Sequence, residues 1–237
     1  MTRRRWIADE VSGKCAALIG EHAAHLSRTL RARVGQEFEV VCGDQVRQAT
    51  VTGVSDDRVE FMLGGEIAVG TVVPITLLLA VFKFDRMEWA IEKCTELKVT
   101  TIVPVIARRT EKHLALAAEK RVERWRRIAR EASEQARRVS PPEISEPMKL
   151  AASLEAAAEL RIVLSESEHE AQLSDVLRGR PEEKSLALAI GPEGGWTPDE
   201  LQMFAGGGWI AASLGDTILR AETAAIAALA VAQTEMR

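Results

Sequence analysis

Residues 186–201 read LALAIGPEGGWTPDEL, and residues 212–232 read ASLGDTILRAETAAIAALAVA. In the first stretch an apolar run, Leu186 to Ile190, meets the loop Gly191-Pro192-Glu193-Gly194-Gly195 and then Thr197-Pro198-Asp199-Glu200. A short apolar run, a glycine-rich turn, and a capping threonine with proline just inside it spell strand, loop and helix start. The second stretch repeats that logic: Ile210 to Leu214 reads as a strand, Gly215-Asp216 as a turn, and Arg220 stands before an alanine-rich helix over Glu222 to Gln233. Loops leaving the carboxyl ends of neighbouring strands are where open α/β sheets place a ligand. Glycine at a strand end also serves plain tight turns. Neither loop spells G-x-G-x-x-G or G-x-x-x-x-G-K-[ST], so neither dinucleotide nor P-loop chemistry is indicated.

Upstream, the same alternation of strand and helix continues. Val73 to Ala80 is a continuous apolar run, as expected of a strand covered on both faces. Asp85 to Leu97 reads as a helix and Thr101 to Ile106 as the next strand; Ile162–Leu164 supplies another. Residues 117–139 read as one long helix, with Val122, Trp125, Ala129, Ala132, Ala136 and Val139 on a single apolar stripe. Such alternation predicts a mostly parallel sheet with helices on both faces. Before position 72 the pattern differs. Val59, Phe61 and Leu63 alternate with Arg58, Glu60 and Met62, the period of a half-buried strand, and short turns punctuate its neighbours as in a small barrel. One helix is expected over His22 to Arg33. The chain therefore divides into 1–72, mostly β, and 73–237, α/β.

Charge is distributed unevenly. The net charge of −4 conceals a basic middle: residues 73–150 carry 16 basic and 11 acidic groups, whereas residues 151–237 carry 6 and 14. A polyanion can bind one face despite the global sign. Three scattered cysteines without a C-x-x-C offer no metal or disulfide framework and suit a reducing compartment. No apolar signal region and no stretch long enough to span a membrane is present, so a cytoplasmic protein without a metal is expected.

GPEGG followed by LGDTILRAETA closely resembles the ribosomal RNA uridine-N3 methyltransferases, a branch of the SPOUT superfamily. The resemblance extends through KFDRMEWAIEKCTELKVTTIVPVIARRT (83–110), RWRRIAREASEQARRVSPPEI (124–144) and the amino-terminal His25-Leu26 and Leu30-Arg31. It implies a PUA-like RNA-binding barrel over 1–72 and a trefoil-knotted α/β domain over 73–237, working as a homodimer. It implies S-adenosylmethionine as cofactor, held by three loops. Leu164 ends the first; Gly191, Pro192, Glu193, Gly194 and Gly195 form the second; Ser213, Leu214, Gly215, Ile218 and Leu219 form the third. The implied reaction is methylation of N3 of a uridine in 16S ribosomal RNA, free or in the 30S subunit. Related readings are a SPOUT enzyme acting on another ribosomal or transfer RNA nucleotide, and a non-catalytic assembly factor. The sequence departs from the family at Lys98, where glycine is usual, and at Trp196, where phenylalanine is commoner.

N3 of uridine is a weakly acidic imide nitrogen, so a cation near it assists the loss of its proton. Arg220 is the candidate for that role, with Glu222 either orienting it or complementing the helix dipole. His22, His25, His113 and His169 stand apart from the glycine loops in the sequence, so no histidine base is expected. Phosphate contacts are expected from Arg126, Arg127, Arg130, Arg137 and Arg138, and from a second cluster, Arg3, Arg4, Arg5, Arg28, Arg31 and Arg33. The competing reading pairs several of the helix arginines with Glu119, Glu123, Glu131 and Glu134 on a solvated face.

Overall fold

The computed structural model describes residues 5–70, 73–179 and 184–236. Arg3 and Arg4 lie outside the described residues. The chain forms two units, residues 1–71 together with 133–140, and residues 72–132 together with 141–237.

In the first unit, strands β1 (Arg5–Ile7), β2 (Glu10–Ser12) and β3 (Cys15–Ile19) lead into the short helix α1 (Gly20–Ala24). Strands β4 (Glu37–Cys42), β5 (Gln45–Val54) and β6 (Arg58–Ile67) follow. They make one sheet in the order β1-β4-β5-β6-β3-β2, antiparallel except for the β1–β4 pair. Two register shifts between β5 and β6 bend the long strands. The expected alternation holds in β6: Val59, Phe61 and Leu63 are buried with Trp6, Leu18, Leu26, Phe38 and Val40. The helix expected over His22 to Arg33 is instead α1 followed by a π-turn over His25–Thr29. It stops there because Arg31 takes the left-handed conformation, φ 53°.

Residues 133–140 belong to this unit, a placement that the chain order alone conceals. Glu39 binds them: it accepts from Arg5 Nε at 2.6 Å and from the Arg137 guanidinium, while Arg5 donates to the Arg137 carbonyl at 2.6 Å. Burial raises the pKa of Glu39, but the hydrogen bonds from Arg5 and Arg137 outweigh it and hold the carboxyl below its ordinary value.

The second unit contains β7 (Ile75–Ala80), α2 (Phe84–Glu96), β8 (Thr101–Ile106), α3 (Lys112–Ala117) and α4 (Val122–Gln135). There follow β9 (Glu143–Ile144), β10 (Met148–Lys149), α5 (Leu150–Ser153), β11 (Leu160–Leu164) and α6 (Leu173–Arg178). The chain ends with β12 (Leu186–Ile190), α7 (Pro198–Gly206), β13 (Ile210–Ala212) and α8 (Ala221–Glu235). All described strand pairs here are parallel, in the order β10-β8-β7-β12-β11-β13 with β9 beside β8. Leu77 and Leu79 of β7 face one core with Met87, Ile91, Trp125 and Leu229; Leu78 and Ala80 face another with Leu150, Phe204 and Trp209. Successive strand residues point to opposite faces, so both faces of the sheet are covered, as the unbroken apolar run required.

The stretch 117–139 is not one helix. α3 ends at Ala117, a 3₁₀ turn covers Glu119–Arg121, and α4 starts at Val122 and stops at Gln135. Its end is a Schellman turn: Arg138 N–H donates to Ser133 and Arg137 N–H to Glu134, with Arg137 left-handed at φ 59°. The same device closes α2 at Lys98, φ 62°, where Val99 N–H reaches Cys94 and Lys98 N–H reaches Thr95. Strand β13 is shorter than the run Ile210–Leu214 predicts, because Ser213 and Leu214 already belong to a loop. Among the described residues no helix is long and apolar enough to cross a membrane, and no His, Cys, Asp and Glu cluster is arranged to hold a metal.

Candidate active site

Strands β12, β11 and β13 are consecutive in the sheet and parallel, so the loops after Ile190, Leu164 and Ala212 emerge side by side. Between them lies a cavity of about 340 Å³. Leu164 with Ser165, Glu166 and Ser167 forms one wall; Gly191, Pro192, Glu193, Gly195 and Trp196 form the second. The third is Ser213, Leu214, Gly215, Thr217, Ile218 and Leu219, and Ala221 and Ala224 of α8 complete the lining. The residues expected to form a ligand loop thus line one space, with Gly194 excepted. Gly194 instead packs beneath Arg109, whose guanidinium donates to the Gly194 carbonyl.

Two of these glycines are required by their surroundings. A Cβ on Gly191 would sit 3.3 Å from Trp196 Nε1 and 3.4 Å from the Gly195 backbone. Gly195 has φ +70°, and a Cβ there would lie 2.8 Å from Glu166 Oε1. The loop itself is a tight turn, with Gly195 N–H donating to the Pro192 carbonyl at 2.8 Å.

The helix start after this loop is firmly held. Thr197 and Glu200 form a capping box, and Pro198 occupies the first turn. Glu200 is buried. Its Oε2 accepts from Thr197 N–H at 2.8 Å and from the Thr197 hydroxyl, while Oε1 accepts from Arg108 N–H at 2.8 Å. One carboxylate therefore ties the segment after β8 to the start of α7, and Arg109 adds a second tie to Gly194. Trp196 packs edge-on against Phe204, ring centres 4.9 Å apart, and Phe204 against Trp209 at 5.2 Å.

Buried polar atoms are normally paired. Ser213 and Trp196 line the cavity, and their Oγ and Nε1 atoms are buried without a hydrogen-bond partner. The Ser213 backbone is fixed by bonds to Ala171 and Leu173, so its side chain is held in that position. Apolar inner walls with a few unsatisfied polar groups are what a flat heteroaromatic ligand needs.

Arg220 caps the start of α8 without lining the cavity. It is exposed, and its guanidinium has no ion-pair partner among the described residues. Glu222, two residues on in the first turn of α8, is buried, with Oε1 3.8 Å from Arg86 Nε and Oε2 unpartnered. The carboxylate thus turns to Arg86 of α2, not to Arg220. Arg86 was invisible to sequence reasoning, since nothing local links α2 to α8. Arg109, Glu166, Trp196 and the two serines flanking Glu166 were also not among the expected site residues; SES directly after an apolar strand was the only signal for Glu166 and its serines.

The arginines expected to contact RNA differ in how they are engaged within the protein. In the first unit Arg5 and Arg137 are engaged with Glu39, Arg28 pairs with Asp56 at 3.0 Å, and Arg138 donates to the Ser140 carbonyl at 3.1 Å. Burial lowers the pKa of Arg138 to about 10. Arg31 and Arg33 are exposed, without ion pairs among the described residues. In the second unit Arg126 is tied to Glu123, Glu146 and the Ile144 carbonyl; Arg130 is half-buried; Arg127 is exposed without an ion pair among the described residues. Arg121 and Arg124 share Glu88 of α2, not a glutamate of their own helix.

Residues 71–233 match the RNA methyltransferase domain family. The chain is 31% identical to ribosomal RNA small subunit methyltransferase E of Rickettsia conorii over 90% of its length and 87% of that protein. It is also 31% identical to the Synechocystis protein of the same name, over 87% of this chain and 68% of that one. The crystal structure of the Neisseria gonorrhoeae ribosomal RNA small subunit methyltransferase E, bound to S-adenosylmethionine, superposes with a TM-score of 0.87 at 29% identity. That match covers 98% of this chain and 97% of the other.

Proposed function

The chain belongs to the RNA methyltransferase family, and from that premise we propose that it methylates N3 of a uridine in small-subunit ribosomal RNA, using S-adenosylmethionine. The observation carrying this reading is the cavity at three adjacent strand ends, walled by the three loops and floored by apolar strand residues. Its size suits a nucleoside-like cofactor, since small-molecule pockets begin at roughly 300 Å³. Leu164, Leu214 and Leu219 would enclose the adenine.

S-adenosylmethionine supplies a methyl group already activated by its sulfonium, leaving the protein to hold the acceptor in line. Arg220, exposed and unpaired beside the third loop, would stabilise the negative charge that develops on the uridine imide as its proton leaves. Glu222 acts behind it, fixing the start of α8 through Arg86. The first unit, the expected barrel of residues 1–72, would hold RNA through Arg31 and Arg33, and Arg127 would contact phosphate from the second. The SPOUT knot, a homodimer and a cytoplasmic location complete the reading; Ile218, 83% exposed at the cavity, offers an apolar surface to a base or a second copy.

Titration calorimetry with S-adenosylmethionine tests the cofactor: no binding at high micromolar concentration would sink the proposal. Mass-spectrometric mapping after incubation with unmodified 30S subunits and with free ribosomal RNA tests the acceptor. A methyl group at N3 of one uridine is expected. A methyl group on another nucleotide would shift the assignment within the superfamily, and none at all would point to an assembly factor.

A further inference from the structure

Two oppositely charged side chains straddle the glycine pair of the second loop. Arg109 packs its Cδ 3.2 Å from where a Cβ of Gly194 would be, and Glu166 lies 2.8 Å from that of Gly195. Both line the cavity, both are exposed, and they come from the segments after β8 and β11. Arg109 uses one guanidinium nitrogen on the Gly194 carbonyl, leaving its other donors available. Glu166 has no hydrogen-bond or ion-pair partner among the described residues.

The cavity is polarised along its depth. Ile190 and Ala212 at its base are buried and apolar, whereas Arg109 and Glu166 stand at the solvent side. The cofactor is polarised too, with a flat adenine at one end and an amino acid carrying an ammonium and a carboxylate at the other. Resting on the cofactor reading above, we propose that Glu166 receives the ammonium and Arg109 the carboxylate of that amino-acid end. The pair selects the complete cofactor over its truncated relatives and sets which end of the ligand faces solvent. The same pair explains the two glycines: each gives room for a charged side chain to approach the loop backbone. Glu193 also lines the cavity, but its carboxylate belongs to the loop itself and is not held over a glycine.

Calorimetry on the full chain separates the ends of the ligand. Wild type should bind S-adenosylhomocysteine more tightly than 5′-methylthioadenosine, which lacks the amino acid. Glu166→Gln should weaken S-adenosylhomocysteine by about tenfold and leave 5′-methylthioadenosine within about twofold. Arg109→Met should weaken S-adenosylmethionine by a similar factor while sparing decarboxylated S-adenosylmethionine. Equal losses for complete and truncated ligands would mean a contact to ribose or a loosened loop, and would overturn the clamp. A loss seen with Glu193→Gln and not with Glu166→Gln would overturn the assignment of Glu166. If wild type bound none of these ligands, the cofactor reading would fail first and take this inference with it.

Discussion

Arg220 matters because nothing neutralises it. A guanidinium that already had a carboxylate partner would have to lose it before serving a developing anion, whereas Arg220 is exposed, unpaired among the described residues and fixed by the extended backbone at the start of α8. Arg220→Ala should cut methyl transfer by about 10²–10³-fold, the usual cost of losing one charge-stabilising donor. Because Arg220 does not line the cavity, the Kd for S-adenosylmethionine should stay within about twofold of wild type. Full turnover by the variant would remove Arg220 from the chemistry. Lys98 makes the opposite case, a residue whose identity works against its backbone. At φ 62° a side chain costs about 1 kcal/mol that glycine avoids, so Lys98→Gly should raise stability by roughly 0.5–1 kcal/mol in urea denaturation. The resemblance leads to the expectation of glycine at this position, and Lys98 adopts the left-handed turn that glycine would favour.

The elements themselves were legible wherever burial was two-sided or a cap was spelled out. Thr101–Ile106 and Leu186–Ile190 coincide with strands β8 and β12, and Thr197-Pro198 opens α7 as its residues require. The helix ends that the sequence pattern misplaces share one cause. Arg31 and Arg137 terminate helical segments in left-handed geometry without glycine or asparagine, so no breaker announces them. For the site, the second and third loops were readable because their glycines are local features, whereas the first entered only at Leu164 and through the family resemblance. Arg86, Arg109 and Glu166 were not, because their roles depend on which strands lie side by side. Glu200 shows how firmly one element end is tied: it closes the capping box and also satisfies Arg108 N–H. Glu200→Ala should lower stability by about 2–3 kcal/mol, through loss of a cap and a buried N–H left unpaired. It should also weaken cofactor binding by loosening the segment that carries Arg109; unchanged cofactor affinity would show that the Arg109 tie to Gly194 suffices alone. Glu39 makes a pH prediction. Its folded pKa lies below the ordinary value of 4.5, so the stability it contributes is present above that value and lost as pH falls through the folded pKa. Glu39→Gln should therefore reduce stability at neutral pH and flatten the loss below about pH 4.5, followed by thermal melts across that range.

Across the whole molecule, net charge misleads about an RNA partner, and so does a count of arginines. The chain carries −4 overall, and many of its arginines are spent on internal carboxylates and carbonyls: Arg5 and Arg137 on Glu39, Arg124 on Glu88, Arg126 on Glu123 and Glu146. An arginine with a partner gives little to a phosphate, because the existing bond must be broken before counterions can be released. Exposed Arg31, Arg33 and Arg127 have no such cost among the described residues. RNA binding should therefore follow the unpaired set. Replacing Arg31, Arg33 and Arg127 together by glutamine should reduce the slope of log Kd against log salt by about 0.7–0.9 for each phosphate that is no longer neutralised. Replacing Arg126 and Arg137 should instead lower thermal stability and leave that slope close to wild type. The reverse pattern, with the slope following Arg126 and Arg137, would mean that those ion pairs open on the RNA. It would restore the basic helix end, SEQARR at 133–138, as the phosphate track.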